Sequence, residues 1–223
     1  MTGEFSNYSR LQTVGEEIAN AISHGIGVLA AIAVTPFLII KAIPLGGGAI
    51  TGAAIFGASM IILYASSAIY HSLPQCKAKT IFRLLDHAAI FLLIAGTYTP
   101  FTLSVLQGAW GWTLFGLIWG LAVVGIILKT VRMHGNSKLS IGLYLAMGWL
   151  AVFAVRPLYY SMPTWGLIWI LAGGVMYSGG VLFFAYDHRM KFNHFIWHLF
   201  VLAGTACHVI AVFQYAFAIN HLR

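Results

Sequence analysis

The chain has 223 residues, 60% of them apolar and 8% charged, with a mean hydropathy of +0.88. A soluble domain carries about 25% charged and roughly 45–50% apolar residues, so an ordinary soluble enzyme, a disordered tail and a secreted disulfide scaffold are all excluded. The net charge of +7 comes from cations scattered between apolar runs, which argues for membrane topology signals and against a nucleic-acid surface.

Residues 1–12 form a polar N-terminal segment. Thr13 and Glu16 match the S/T-x-x-E capping box ahead of an apolar run, so the first helix is expected to start there. That run is too long for a signal-peptide core of roughly 7–15 residues and reads as a span. The first span ends near Lys41–Pro44, and Gly46-Gly47-Gly48 makes the turn. The second runs to about His71 and is stopped by Pro74. The third runs from about Arg83 to Leu106, with Pro100 expected to bend it. The uncharged run 87–128 holds 42 residues, twice the roughly 20 that one span needs. A turn near Gln107-Gly108 therefore divides it, and the fourth span covers about 110–131. His134-Gly135-Asn136 forms the next turn. The fifth span runs 138–160 through Arg156-Pro157, the sixth 164–186 and the seventh 192–219. The expectation is an all-α membrane protein, a single seven-helix transmembrane domain over residues 1–223. Gly116/Gly120 and the pairs Gly173-Gly174 and Gly179-Gly180 are candidate packing faces. Cys76 and Cys207 read as unpaired thiols.

Orientation follows from Lys and Arg. With the N-terminus in the cytoplasm, nine lie inside (Arg10, Lys77, Lys79, Arg83, Lys129, Arg132, Lys138, Arg189, Lys191) and three outside (Lys41, Arg156, Arg223). The expected topology has the N-terminus cytoplasmic and the C-terminus outside, in the cell (cytoplasmic or inner) membrane.

Ionisable groups inside spans are expensive and usually functional. His134, His188, His221 and Asp187 fall in loops or the tail and read as solvated. Glu17, His24, His71, Asp86, His194 and His198 all fall at the same leaflet, whichever way the chain is oriented. His194 and His198 are four residues apart, so their imidazoles leave one helix face about 6 Å apart at Cβ. Ser67 and His71 repeat that spacing on the second span. His71, His194 and His198 thus make a three-histidine set suited to zinc with an open position, although imidazole also suits copper, iron or nickel. Asp86 could act as general base or orient a ligand. Glu17, Asn20 and His24 share one helix stripe, either buttressing the metal or forming a polar seam. His87 reads as packing. His208 is about 15 Å deeper than His198 and reads as a hydrogen-bonded core residue.

The order Glu17-x-x-Asn20-x-x-Ser23-His24, Ser67-x-x-x-His71, Asp86 and His194-x-x-x-His198 resembles the progestin and adipoQ receptor superfamily. Residues 95–100 (Ala-Gly-Thr-Tyr-Thr-Pro) and 144–149 (Tyr-Leu-Ala-Met-Gly-Trp) are similar to its bacterial hemolysin III-related branch. The resemblance implies a Zn2+ ion held on the cytoplasmic side by His71, His194 and His198, with Asp86 engaged through water and Ser67 close by. It also implies distant kinship to alkaline ceramidases, and an association with haemolytic activity and with membrane-lipid or membrane-energy homeostasis. The long N-terminal domain of the animal receptors has no counterpart here.

Two functions follow as expectations. One is a zinc-dependent hydrolase of membrane lipid amides or esters, with Asp86 and Ser67 catalytic and a membrane lipid as substrate or ligand. The other is a non-enzymatic membrane sensor or regulator whose zinc is structural. A pore-forming haemolysin ranks lower, because no polar stripe lines a channel, as does a metal or proton transporter.

Overall fold

The structure is a computed structural model describing residues 12–106, 108–131, 137–187 and 189–217. Most of the polar N-terminal segment, Gln107, the His134–Asn136 turn, His188 and His221 lie outside the described residues. Among those described there is no strand, and seven helical stretches are long and apolar enough to cross a membrane: Val14–Leu45, Gly47–Ser72, Lys77–Val105, Gly108–Val131, Leu139–Ser161, Thr164–Ala185 and Asn193–Ala216. A helix is the form an open chain takes in lipid, because it satisfies its backbone polar groups internally. The expected seven-span, all-α architecture is what the chain adopts.

Eight α-helices build the spans: α1 (Val14–Ala42), α2 (Gly47–Ser72), α3 (Lys77–Pro100), α4 (Gly108–Val131), α5 (Ser137–Gly148), α6 (Val155–Ser161), α7 (Thr164–Ala185) and α8 (Asn193–Ile210). Helix α1 begins at the expected residue, with both halves of the Thr13–Glu16 capping box formed. Its outward face is apolar (Ile18, Ile22, Ile26 and Leu29 are exposed), while Asn20, Ser23 and His24 are buried. This inverts the pattern of a soluble helix and points α1's polar stripe into the bundle.

Several boundaries differ from expectation, each for a physical reason. The first turn is tighter than a three-glycine loop: Gly46 alone takes a positive φ of 91°, and Gly47 and Gly48 already belong to α2. Helix α3 starts at Lys77, six residues early, because Lys79 is buried rather than solvated. Its ammonium donates to the Tyr70 and Leu73 carbonyls at the end of α2, 3.0 Å each. After Pro100, which has no N–H to offer the preceding turn, the chain widens into a π-helical turn over Phe101–Val105.

The fifth span is not one helix. A 3₁₀ stretch, Trp149–Ala154, separates α5 from α6. The Tyr98 hydroxyl of α3 is inserted into its ladder. It accepts from Ala151 N–H at 2.9 Å and faces the Met147 and Gly148 carbonyls at 3.0 and 2.8 Å. In an α-helix that N–H would bond to Met147 directly, so the tyrosine replaces the missing bond. Pro157 adds to the break by withholding an N–H from Phe153.

Small residues set the close approaches, though not all of those expected. Gly57 faces Thr35 so tightly that a Cβ would lie 2.3 Å from its methyl group, and Gly173 and Gly180 seat His208, Trp197 and Phe200 of α8. Gly116, Gly120 and Gly174 have nothing within 4 Å of a Cβ. Among the described residues, Gly116-x-x-x-Gly120 therefore seats no other helix of this chain.

Candidate metal centre

The four elements that carry the ionisable residues meet at one end of the bundle: the starts of α1, α3 and α8 and the end of α2. The α8 start is fixed there by α1. Phe192 adopts a left-handed conformation (φ 61°) and donates its N–H to Glu16 Oε1 at 2.8 Å. The other Glu16 oxygen closes the α1 cap on Thr13 at 2.8–2.9 Å. Asn193 also holds the Tyr186 carbonyl, 3.0 Å away. His194 and His198, on the first two turns of α8, are thereby aimed at His71 at the end of α2.

One nitrogen from each of His71, His194 and His198 lies within 4.8 Å of the other two, and all three residues are buried. Their Nδ1 atoms are already engaged. That of His71 meets Glu17 Oε2 at 2.7 Å, and that of His194 meets Asp187 Oδ2 at 3.2 Å. His198 Nδ1 meets Ser23 Oγ at 3.0 Å and the Asn20 carbonyl at 3.3 Å. Carboxylates and carbonyls only accept, so each Nδ1 carries the proton and each Nε2 keeps its lone pair. The Nε2 atoms of His71 and His194 are buried with no hydrogen-bonding partner. Unpaired imidazole lone pairs facing one another in a buried site are costly, and a cation relieves that cost. Orientation of a ligand imidazole by an acceptor on its far nitrogen is the usual design of histidine metal sites. The residues present therefore fit a metal ion.

The match to the model of haemolysin-III related proteins covers residues 12–209. The chain belongs to that family. It is 46% identical over 205 residues to "Hemolysin-3" of Bacillus cereus, covering 92% of this chain and 93% of that one. It is 45% identical over 211 residues to "Hemolysin-3 homolog" of Bacillus subtilis (strain 168), covering 94% and 99%. A more distant relative is the human "Monocyte to macrophage differentiation factor", 29% identical over 168 residues, covering 73% and 69%. No solved structure matches the chain.

The remaining expected residues of this haemolysin-III related chain divide by position. Glu17 buttresses His71 and is itself held by Lys79 Nζ at 2.9 Å from Oε1. Asn20 contributes its backbone carbonyl to His198, while its side-chain amide donates to Gln12 at 2.8 Å. His24 stacks on His198, with ring centroids 3.5 Å apart and planes 6° apart, and neither of its nitrogens has a partner. Ser67 Oγ is buried and faces the Asp86 carboxylate. Asp86 stands outside the three-histidine group, buried in the wall of an adjoining cavity.

That cavity has a volume of about 130 Å³, and His24, Asp86, His194 and His198 line one end. It continues past Ile90 and Ile94 of α3 to Phe101 and Leu106 beyond its end. His87, expected to pack, also lines it, with Nδ1 donating to the Arg83 carbonyl at 2.7 Å.

Two residues of the site escape sequence reasoning. Asp187, read as solvated, orients His194. Lys79, read as a loop charge, is buried and pins Glu17. The signal for Asp187 is a carboxylate in the short connection just before a histidine-bearing helix. Nothing in the periodicity singles out Lys79.

Proposed function

We propose that this protein is a zinc-dependent intramembrane hydrolase acting on a lipid amide or ester, in the cell membrane with its N-terminus cytoplasmic and the site at the inner leaflet. The observation that carries this reading is the juxtaposition of three converging imidazoles, each with its far nitrogen already occupied, and a long apolar cavity that opens beside them. His71, His194 and His198 would hold the ion, with Glu17, Asp187, Ser23 and Asn20 fixing their tautomers. Zinc, when bound, supplies Lewis acidity and lowers the pKa of a coordinated water to about 7. The cavity wall binds the acyl chain by apolar contact and excludes water from the scissile bond. Asp86, buried in that wall, accepts the proton of the attacking water and returns it to the leaving group. His24 holds unused hydrogen-bonding capacity nearby, available to the polar part of the lipid.

The test is fatty-acid release by purified protein from amide- and ester-linked lipids. Turnover should vanish in Asp86→Asn with metal content unchanged, and in His71→Ala with metal lost. Failure to release fatty acid from any lipid class, under conditions where zinc is bound, would refute the hydrolase.

One observation favours a second reading, a sensor whose zinc is structural. His71 sits on α2 and the other two histidines on α8, helices that otherwise touch little apart from the Tyr64–Thr205 hydrogen bond. A metal there staples them. Loss of packing on chelation without any turnover in the metal-loaded protein would select this reading.

A further inference from the structure

The cavity carries a second polar station, far from the metal centre. His208, one of its lining residues, is ten positions beyond His198 on α8, about 15 Å along the helix. Its Nε2 lies 3.2 Å from the Ile170 carbonyl. A carbonyl only accepts, so Nε2 carries the proton and Nδ1 is left as an acceptor. That Nδ1 is buried and has no partner. The ring reaches α7 only because position 173 is glycine; a Cβ there would sit 2.4 Å from Nε2.

Beside it is a group of three hydroxyls. Tyr64 donates to Thr205 Oγ1 at 2.7 Å, and Tyr177 meets the same oxygen at 2.7 Å. Three hydroxyl hydrogens serve two bonds, so one hydrogen is left over. When Thr205 donates to Tyr177, the spare hydrogen is on Tyr177, which lines the cavity and whose ring centroid is 5.5 Å from that of His208. In that arrangement the station offers one donor and one acceptor in neighbouring rings of the cavity wall. A hydroxyl group is the complement: it accepts from Tyr177 and donates to His208 Nδ1.

We infer that Tyr177 and His208 form a recognition site for a hydroxyl carried on the chain of the lipid bound in the cavity. The inference rests on the lipid reading of the metal site and adds substrate class to it. An extended alkyl chain advances about 1.25 Å per carbon, from a bond near 1.5 Å and a tetrahedral angle. A span of about 15 Å therefore corresponds to roughly twelve carbons. The preferred ligand is a mid-chain hydroxylated acyl chain. An unhydroxylated chain leaves both groups unpaired, and one unmade hydrogen bond to a neutral partner costs about fivefold in affinity.

The experiment measures binding of octadecanoic acid and of its 2-, 12- and 17-hydroxy isomers to the full-length, metal-loaded protein in detergent, by calorimetry. The 12-hydroxy isomer should bind about fivefold or more tightly than the parent acid, and the 2- and 17-hydroxy isomers should show no such gain. Tyr177→Phe and His208→Leu should each remove the preference, bringing the ratio of the affinities for the 12-hydroxy isomer and the parent acid to about one. The positional series on the wild-type protein tests the site even if a variant does not fold. Equal binding of all four acids overturns the hydroxyl site, leaves the lipid reading intact, and means that water alone satisfies the station. Binding of none of them overturns the lipid reading and the site with it.

Discussion

Replacing Glu17 by glutamine tests the metal centre without touching a ligand. The glutamate has two jobs: Oε2 takes the His71 Nδ1 proton at 2.7 Å, and Oε1 takes the Lys79 ammonium at 2.9 Å. Glutamine keeps the shape but has one acceptor and one donor end. With its oxygen toward His71, its NH2 faces Lys79, and two donors meet in a buried site. With its NH2 toward His71, Nδ1 must accept, and the imidazole proton moves to Nε2. That nitrogen then has no lone pair for an ion. The first arrangement loses the Lys79 contact, and the second keeps both contacts but gives up the metal-binding lone pair. Losing an outer partner of this kind weakens metal binding about 10–100-fold, or roughly 1.4–2.8 kcal/mol.

The assay is retention of zinc by detergent-purified protein against a graded series of chelators, with His71→Ala as the zero. Lys79→Met should weaken retention in the same direction but less, because the Glu17 carboxylate keeps its bond to His71. Since both changes act through one carboxylate, the double variant should fall short of the sum of the two effects. Zinc retention by Glu17→Gln within twofold of wild type, with His71→Ala fully depleted, would refute the tautomer argument.

Other outcomes follow from the same geometry. Asp187→Asn should weaken metal retention by less than about tenfold, because its bond to His194 is longer (3.2 Å) and its side chain is 32% exposed; chelator titration checks this. Tyr98→Phe removes the hydroxyl that links Ala151 N–H to the Met147 and Gly148 carbonyls and should cost about 1–3 kcal/mol, read as a lower Tm; an unchanged Tm would mean that the fifth span recloses its own ladder. Gly57→Ala, whose Cβ would meet Thr35 at 2.3 Å, should destabilise by about 1–3 kcal/mol. Gly116→Ala, in open space, should be neutral or stabilise by up to about 1 kcal/mol, and thermal unfolding of the pair checks both. Chelating the metal should lower Tm for wild type, by about 2.7 kcal/mol of stability for an ion at a hundred times its Kd, but not for His71→Ala.

The span count and the residues at the metal end could be read from the sequence because each rests on a short-range rule. Charged residues punctuate the apolar runs, and His194 and His198 share a helix face by spacing alone. That His71 lies at the same end follows from alternating direction, since the second span ends where the seventh begins. The break in the fifth span could not be read this way. It depends on a tyrosine from α3, 53 residues before the N–H it captures, and residues 149–154 carry no breaker of their own. The roles of Asp187 and Lys79 were hidden for a related reason. Both lie near loops, where a charge is solvated by default, and only the packing of neighbouring helix ends turns them inward.

The polar atoms left without partners sort by position, and that sorting links the fold to its chemistry. In a bilayer protein the apolar residues face both lipid and neighbouring helices, so hydrophobic pattern says little about where a ligand goes. Unpaired polar atoms say more, because lipid offers them no hydrogen bonds. Among the described residues, the buried side-chain nitrogens and oxygens that lack partners belong mostly to His24, His71, His194 and Asn20, at the metal end. The one other is His208 Nδ1, in the wall of the cavity that begins at that end. An inert packing core would have paired these groups or replaced them with apolar ones. His24, His194 and His208 bring theirs to the lining of one cavity, in two groups about 15 Å apart, the arrangement that the proposed elongated ligand, with a polar head and one polar point along its chain, would fill.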